Sequence, residues 1–343
     1  MNDKKVLVAL SGGVDSCVCV HLLKEQGYQV AGVVLKMSPA HHDTVKAAQE
    51  AADALGIELY VKDMQPQFKQ EVESYFVKAY QSGITPNPCI VCNPKVKFRA
   101  LVDTANEYGY YYVATGHYAN LETIDGVTYL KKGDSLKRDQ SYMLYRLKQD
   151  ILSRLMFPLA KYEKDKVREI AASLGLSCAT KPDSQENCFI PDNDYAGYIE
   201  RNYGKSKKGE FISPEGKVCG QHQGIIHYTV GQRKGLGIAL GRPVFITEID
   251  PVKNRIYLAN SGDEYKESVT LCDMSFTFDC NIEENQSVQV KIRSMATPAD
   301  ATVKMLTSNS CVVTFAQPQR APARGQSVVI YDGDTVLGGG FIE

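Results

Sequence analysis

No stretch of these 343 residues approaches the run of roughly 18 apolar residues that a membrane-spanning helix needs. The opening Met1-Asn2-Asp3-Lys4-Lys5 also leads straight into a short strand pattern, without the apolar region of a secretory signal. Both absences point to a cytoplasmic protein with no membrane partner. Neither sign of charge prevails. Lys and Arg number 39 against 40 Asp and Glu, a net charge of -1, so any nucleic-acid surface must be a local patch in a neutral whole. Internal repeats and low-complexity tracts are missing too. With 43% hydrophobic and 23% charged residues the chain has material for a sizeable core, which excludes a disordered or fibrous protein. At roughly 150 residues per domain, two or three domains are expected.

Ten cysteines in a chain this long do not make a small disulfide scaffold, and in a reducing compartment clustered cysteines point to metal or redox chemistry. Cys17, Cys19, Cys178, Cys219, Cys272, Cys280 and Cys311 lie singly or in apolar contexts and read as small buried hydrophobes.

Lys5 to Leu10 is a continuous apolar run after a charged start, the pattern of a strand buried on both faces of a parallel sheet. A helix over Ser16 to Gln26, a strand over Val30 to Leu35, a helix over Thr44 to Leu55 and a strand over Ile57 to Val61 follow, with Gly27 and Gly56 as helix stops. Helical patterns at Gln67 to Tyr80 and Lys95 to Tyr108 flank a Pro-containing loop, and Tyr111 to Thr115 reads as another buried strand. This grammar predicts a doubly wound α/β domain with ligands at the carboxyl ends of its strands, where Ser11, Met37 and Gly116 lie. Past Lys205 short alternating segments take over, predicting small β domains. The expected division is 1–204, 205–266 and 267–343.

Leu10-Ser11-Gly12-Gly13-Val14-Asp15-Ser16 joins the first strand to the first helix. Two glycines let backbone N–H groups approach an anion, Ser11 and Ser16 add hydroxyls, and the helix N-terminus adds positive potential, so a phosphate chain is the expected ligand. No Gly-Lys-Ser/Thr follows, so this is not a Walker A loop suited to moving a γ-phosphate.

That string is similar to the pyrophosphate loop of N-type ATP pyrophosphatases, the adenine nucleotide alpha hydrolase fold class. Further segments stand in family order: Thr85-Pro86-Asn87-Pro88 running into Cys89-Ile90-Val91-Cys92-Asn93, Ala114-Thr115-Gly116-His117-Tyr118, Arg138-Asp139-Gln140-Ser141-Tyr142, Asp183 to Ile190, His227 to Gly237, and Gly338-Gly339-Gly340. Together they resemble the bacterial tRNA-specific 2-thiouridylases over essentially the whole chain. The resemblance implies ATP-dependent 2-thiolation of the wobble uridine: adenylation of the C2 oxygen with release of pyrophosphate, then sulfur transfer with loss of AMP. It implies an α/β catalytic domain, a central β-rich domain and a C-terminal β-barrel. By the same resemblance Ala9, Leu10, Ser11, Gly12, Gly13, Val14, Asp15 and Ser16 hold the ATP phosphates with Mg²⁺, backbone near Met37 and Gly116 meets the adenosine, and Asn87, Pro88, His117, Arg138, Asp139, Gln140 and Gln326 contact the tRNA anticodon arm. A sulfur donor is required, such as a persulfide relay protein, a cysteine desulfurase or free sulfide.

Cys92 and Cys188 match the family's catalytic pair, one a nucleophile and the other a persulfide carrier. Where Asn87-Pro88 is usually followed by Asp, this chain has Cys89. Cys89, Cys92 and Cys188 then form a three-thiolate set that can hold a [4Fe–4S] cluster with one open iron, as in a subgroup of thiolating enzymes. The alternatives are a neutral Cys89 beside a working persulfide pair, or a structural zinc short of one ligand. The set at the point of sulfur delivery favours the cluster.

Basic clusters at Lys131, Lys132, Lys137 and Arg138, at Arg201, Lys205, Lys207 and Lys208, and at Arg233, Lys234 and Arg242 are interleaved with Tyr142, Tyr145, Tyr203 and Tyr228. Such stretches suit phosphate contacts and stacking on unpaired bases. His41 and His42 read as exposed loop residues. Another pyrophosphatase-fold ligase would not need Cys92 and Cys188, and a non-catalytic RNA-binding or sulfur-carrying protein would not need an intact loop.

Overall fold

The computed structural model describes residues 4–181, 187–280 and 282–343. Its first layer is a five-stranded parallel sheet of order β3-β2-β1-β4-β7, with β1 at Lys5–Ala9, β2 at Gln29–Lys36, β3 at Leu59–Asp63, β4 at Tyr112–Ala114 and β7 at Leu155–Met156. Val6, Leu7 and Val8 of the central strand are fully buried, which is why no polar alternation shows in its sequence. Helix α1 (Val14–Glu25) follows β1, and α2 (His42–Leu55) follows β2 and ends on Gly56 in a left-handed cap. Nearly every side chain of α1 from Val14 to Leu23 is buried, so this helix is a core element that holds the loop before it.

Between β3 and β4 the chain is helical almost throughout. Two single-turn π segments interrupt it, Lys69–Glu73 and Asn93–Lys97. The second begins directly after Cys92, and such bulges gather at functional sites because they re-aim a side chain within a helix.

Beyond β4 the structure holds a hairpin that the periodicity of the sequence did not predict, β5 (Ala119–Ile124) and β6 (Val127–Lys132). Asp125 and Gly126 both have positive φ, as a two-residue mirror-type turn requires. The hairpin leaves its own domain and extends the C-terminal sheet. Strands β8 (Gly209–Ile212), β9 (Val218–His222), β10 (Val244–Asp250) and β11 (Arg255–Asn260) form a small mixed sheet of order β10-β11-β8-β9. Strands β12 (Tyr265–Phe276), β13 (Gln286–Lys291), β14 (Ala299–Thr307), β15 (Ser310–Arg320), β16 (Ser327–Asp332) and β17 (Thr335–Ile342) close into an antiparallel barrel through the β12–β17 pairing, and β6 attaches to β17 at Lys131 and Thr335.

The barrel is welded to the α/β domain. Tyr142 Oη donates to the Ser327 carbonyl at 2.8 Å, Tyr145 Oη lies 3.1 Å from Ser327 Oγ, and both rings are fully buried in a core that also holds Val329, Tyr331 and Val336. No helix among the described residues is long and apolar enough to cross a membrane.

Candidate active site

Three strand ends converge. At the end of β1 the backbone passes Ser11, Gly12 and Gly13 before α1 starts. Ser16 Oγ donates to the Gly13 carbonyl at 2.9 Å and accepts from the Ser11 N–H at 3.2 Å, which fixes the loop as a concave cradle. Gly12 has φ +72°, and a Cβ there would lie 2.5 Å from the Ala47 backbone, so neither the conformation nor the space admits a side chain. Ser11 is exposed and Gly13 half-exposed, whereas the Leu10 and Val14 side chains are in the core, so these two can serve a ligand only through backbone.

At the end of β4, Gly116 presses against the loop: a Cβ there would lie 2.8 Å from that of Asp15. Asp15 Oδ1 accepts from Tyr118 Oη at 2.7 Å, and Oδ2 accepts from the buried Lys164 Nζ at 2.6 Å. Burial and the adjoining carboxylate hold the Tyr118 phenol well above its usual range. With 31% of its side chain exposed, the paired carboxylate keeps free lone pairs toward solvent and fits a Mg²⁺ carried by nucleotide phosphates. Lys164 has no local sequence signal, since it reaches Asp15 only through the tertiary fold.

At the end of β2, Met37 meets the thiols: Cys92 Sγ lies 3.9 Å from Met37 Sδ. The Asn87 side chain accepts from the Cys89 N–H at 3.1 Å, capping the short helix Pro88–Cys92 that presents both cysteines. Asn93 Nδ2 donates to the Met143 carbonyl at 2.8 Å, while its buried Oδ1 has no partner among the described residues. Burial pushes the Cys92 thiol up to about 12 and Cys188 up to about 11, and raises Cys89; the Lys97 ammonium opposes all three. The three thiols sense one another and Cys188 reaches solvent. Yet no three His, Cys, Asp or Glu side chains among the described residues are gathered as a metal ion requires. No single-ion set, such as zinc needs, is formed among the described residues; a [4Fe–4S] cluster spaces its thiolates more widely, and Cys89, Cys92 and Cys188 stay candidates for one.

Several residues expected to touch RNA make hydrogen bonds within the protein; Asp139 is buried, and Gln140, Gln326 and His117 are half-buried. Asp139 accepts from the N–H groups of Gly133 and Ser141 at 3.1 and 3.0 Å, and faces Lys291 at 3.6 Å. Gln140 Oε1 accepts from the Tyr118 N–H at 3.0 Å. Gln326 Nε2 donates to the Thr85 carbonyl at 2.9 Å, tying the barrel to the loop before Asn87 and the buried Pro88. His117 bonds Thr115 Oγ1 at 2.7 Å between Phe98 and Phe157, and burial holds its pKa well below the usual value. Arg138 is exposed.

Of the aromatic residues read as stacking platforms, Tyr142, Tyr145 and Tyr228 are core residues, and Tyr203 donates to Glu73 at 2.6 Å. Lys131, Arg201 and Arg242 form ion pairs with Glu122, Asp192 and Glu215, whereas Lys137, Lys205, Lys207, Lys208, Arg233 and Lys234 stay exposed without an ion pair among the described residues. His42 is exposed as expected, but His41 is half-buried and bonds Ser38 Oγ at 2.8 Å. Asp183, Ser184, Gln185 and Glu186 of the quoted segment lie outside the described residues.

A glycine-rich cradle at the end of the middle strand of a parallel sheet, with a carboxylate behind it and no Walker lysine, defines a nucleotide-binding pyrophosphatase-type domain, here joined to two β units. Family models agree along the chain: the tRNA methyl transferase HUP domain matches residues 4–192, the tRNA methyl transferase PRC-barrel domain 197–260 and the aminomethyltransferase beta-barrel domain 266–342. The chain is 43% identical over 355 positions to the tRNA-specific 2-thiouridylase MnmA of Clostridioides difficile, covering 99% of this chain and 98% of that one. It is 44% identical over 354 positions to the enzyme of the same name from Lachnoclostridium phytofermentans, with 99% of both covered. The chain belongs to the tRNA-specific 2-thiouridylase family. Among solved structures, the U34-tRNA thiolase NcsA from Methanococcus maripaludis with its [4Fe-4S] cluster aligns over 59% of this chain and 68% of that one, at 20% identity and a TM-score of 0.38.

Proposed function

We propose that this protein is the ATP-dependent enzyme that 2-thiolates the wobble uridine of tRNA, and that it works through a pair of cysteines. The observation that carries the reading is the convergence of the pyrophosphate cradle and a thiol on one sheet edge: Gly116 against Asp15 on one side, and Cys92 against Met37 on the other. A 1–204 catalytic unit, a 205–266 β unit and a 267–343 barrel divide the labour.

The cradle from Ala9 to Ser16 holds the β and γ phosphates through backbone N–H groups and the hydroxyls of Ser11 and Ser16, leaving the α-phosphorus open to the C2 oxygen of uridine. Backbone near Met37 and Gly116 borders the adenosine. Mg²⁺ supplies charge to the departing pyrophosphate. Attack by the C2 oxygen forms an O–P bond, breaks the α–β bridge and makes the C2 oxygen part of a good leaving group.

Cys188, exposed and open to a persulfide-bearing donor protein, attacks the donor's outer sulfur, the donor thiol leaves, and Cys188 then carries the persulfide. Its terminal sulfur attacks C2 and AMP departs with the former oxygen. The Cys92 thiolate then attacks the inner sulfur, releasing the 2-thio product and leaving a Cys92–Cys188 disulfide for an external thiol to reduce. Cys89 is a bystander in this route. Asn87, Pro88, His117, Arg138, Asp139, Gln140 and Gln326 shape the surface facing the anticodon arm, and Arg138 is the exposed member of that set; the buried and half-buried ones act by holding the loop and barrel in place.

The test is product analysis with full-length protein, tRNA and ATP. AMP, pyrophosphate and 2-thiouridine are expected. ADP and phosphate would overturn the ATP chemistry, and tRNA-independent pyrophosphate release would overturn the substrate. Iron and acid-labile sulfide in an anaerobic preparation, lost together with activity in Cys89→Ala, would overturn the two-cysteine route.

A further inference from the structure

Cys17 and Cys178 look unrelated in the sequence, and both read there as small buried hydrophobes. The fold brings them together. Cys17 follows Ser16, the residue whose hydroxyl braces the phosphate cradle, and Cys178 sits in the turn Ser177–Thr180 that packs on α1. Both are buried, at 0% and 3% exposure, and belong to one apolar cluster. They line a cavity of about 180 Å³ together with Gly12, Ala47 and Lys181. Both are free thiols, with no covalent bond between them. Arg168 pins the turn by donating to the carbonyls of Ala179 and Lys181 at 2.8 and 2.9 Å.

The two sulfurs are not equivalent. The neighbouring Cys17 thiol and the Lys181 ammonium draw the Cys178 thiol down toward ionisation, whereas Cys178 and burial leave Cys17 holding its proton. A thiol drawn toward ionisation at a small cavity, with a second thiol lining the same cavity, is the arrangement of a peroxide-reactive and a resolving cysteine.

We propose that Cys17 and Cys178 form a redox pair, separate from the thiols of sulfur transfer, in which hydrogen peroxide oxidises Cys178 and Cys17 resolves the product to a disulfide. The Cys178 sulfur attacks one peroxide oxygen, the O–O bond breaks, and sulfenic acid and hydroxide form. The Cys17 sulfur then displaces the hydroxyl, which leaves as water with the Cys17 proton. Two thiols lose two electrons, and one peroxide becomes two waters. The new bond ties the turn that leads toward Cys188 to the helix that braces the cradle, and so slows pyrophosphate release. Formation of the bond is independent of the proposed function; only its effect on turnover rests on that reading.

Full-length protein is treated with hydrogen peroxide, free thiols are alkylated, and peptides are mapped with fragment ions that separate Cys17 from Cys19 and Cys178 from Cys188. A Cys17–Cys178 cross-link, reversed by dithiothreitol, is expected. Cys17→Ser should instead accumulate sulfenic acid at Cys178, trapped by dimedone, while Cys178→Ser should leave Cys17 fully alkylated. Recovery of both cysteines alkylated after peroxide, or oxidation of Cys17 in Cys178→Ser, overturns the pair. With tRNA and ATP, pyrophosphate release by the cross-linked protein should fall at least about fivefold and return with dithiothreitol; in Cys178→Ser this reversible component is absent. A cross-link without any change in turnover overturns the coupling to the cradle.

Discussion

Lys164 donates to Asp15 Oδ2 at 2.6 Å, with the lysine buried and the carboxylate partly open, so the acid behind the phosphate cradle is held by a cation from a helix 149 positions away. Replacing Lys164 by Met leaves the carboxylate with Tyr118 and solvent. Removing a hydrogen bond to a charged group costs about 1–3 kcal/mol, reduced here because water can reach Asp15. The expected result is a modest loss of stability in chemical denaturation and a larger loss of pyrophosphate release, about tenfold or more, because the loop geometry depends on Asp15. Tyr118→Phe removes the other partner and should cost less, about 1 kcal/mol. Unchanged turnover in Lys164→Met would separate the ion pair from the ATP step.

The glycines of the site should respond by position. In Gly12→Ala the new methyl meets Ala47 backbone at 2.5 Å in a left-handed conformation, so a lowered melting temperature and loss of ATP binding are expected together. In Gly13→Ala it lies 3.3 Å from Ser11 Oγ with an ordinary φ of -86°, so the fold should survive and only ATP affinity weaken. Gly116→Ala puts a methyl 2.8 Å from the Asp15 Cβ on a core helix that cannot yield cheaply, so it belongs with the first kind. Calorimetry and equilibrium ATP binding on the three variants check the order.

The thiols give a third set of outcomes. Cys92→Ala should abolish sulfur transfer while leaving tRNA-dependent pyrophosphate release, and Cys188→Ala should lose the persulfide in donor-loading assays. Cys89→Ala should keep most activity. Because burial raises Cys92 to about 12 and Cys188 to about 11 while Lys97 opposes it, their alkylation should speed up as pH rises. Lys97→Met should slow it further at any given pH, and a variant with unchanged alkylation profiles would remove Lys97 from the site.

The loop from Leu10 to Ser16 was legible because its chemistry is contiguous: strand, glycines, hydroxyls and helix start in seven residues. Cys92 and Cys188 were singled out by their flanking motifs. Lys164, Lys97 and the Cys17–Cys178 pairing were not, since each depends on which helices pack together, and local pattern carries nothing about that. The hairpin at Ala119–Lys132 did have a local signal, Asp125-Gly126 between alternating segments, but its partner strand β17 lies in the barrel some two hundred residues later. Tyr142, Tyr145 and Tyr228 show the opposite failure: a tyrosine beside lysines has the composition of an RNA platform, yet all three serve the interior, and the hydroxyls of Tyr142 and Tyr145 are satisfied across the domain junction.

That junction decides how RNA binding must be tested. Deleting the barrel would uncover the Tyr142 and Tyr145 rings and leave the β5–β6 hairpin without β17, so truncation would damage the catalytic domain as well. Point changes on exposed cations are the sound route. Lys137→Ala with Arg138→Ala, and separately Lys207→Ala with Lys208→Ala, should weaken tRNA binding severalfold and leave ATP binding intact. The dependence of affinity on salt should flatten by about one unit of slope for each phosphate that is no longer neutralised. An unaltered salt slope for both pairs would place the RNA elsewhere.

His117 should make stability depend on pH. Burial holds it neutral in the folded protein well below its usual value of about 6.5, with Thr115 bonded to Nδ1 and two phenylalanine rings around it. Below pH 6.5 the unfolded chain takes up a proton that the folded chain refuses, so the unfolded state binds more protons and stability falls as pH falls, until the folded value is reached. The slope from one such group approaches about 1.4 kcal/mol per pH unit. His41 and His222, also lowered by burial, add to it. In His117→Asn their share remains and that of His117 disappears, so denaturation curves between pH 5 and 7 should run closer to level in the variant than in the parent. Parallel pH profiles for the two proteins would mean that His117 can be protonated in the folded state, and its side chain would then be open to solvent or RNA after all.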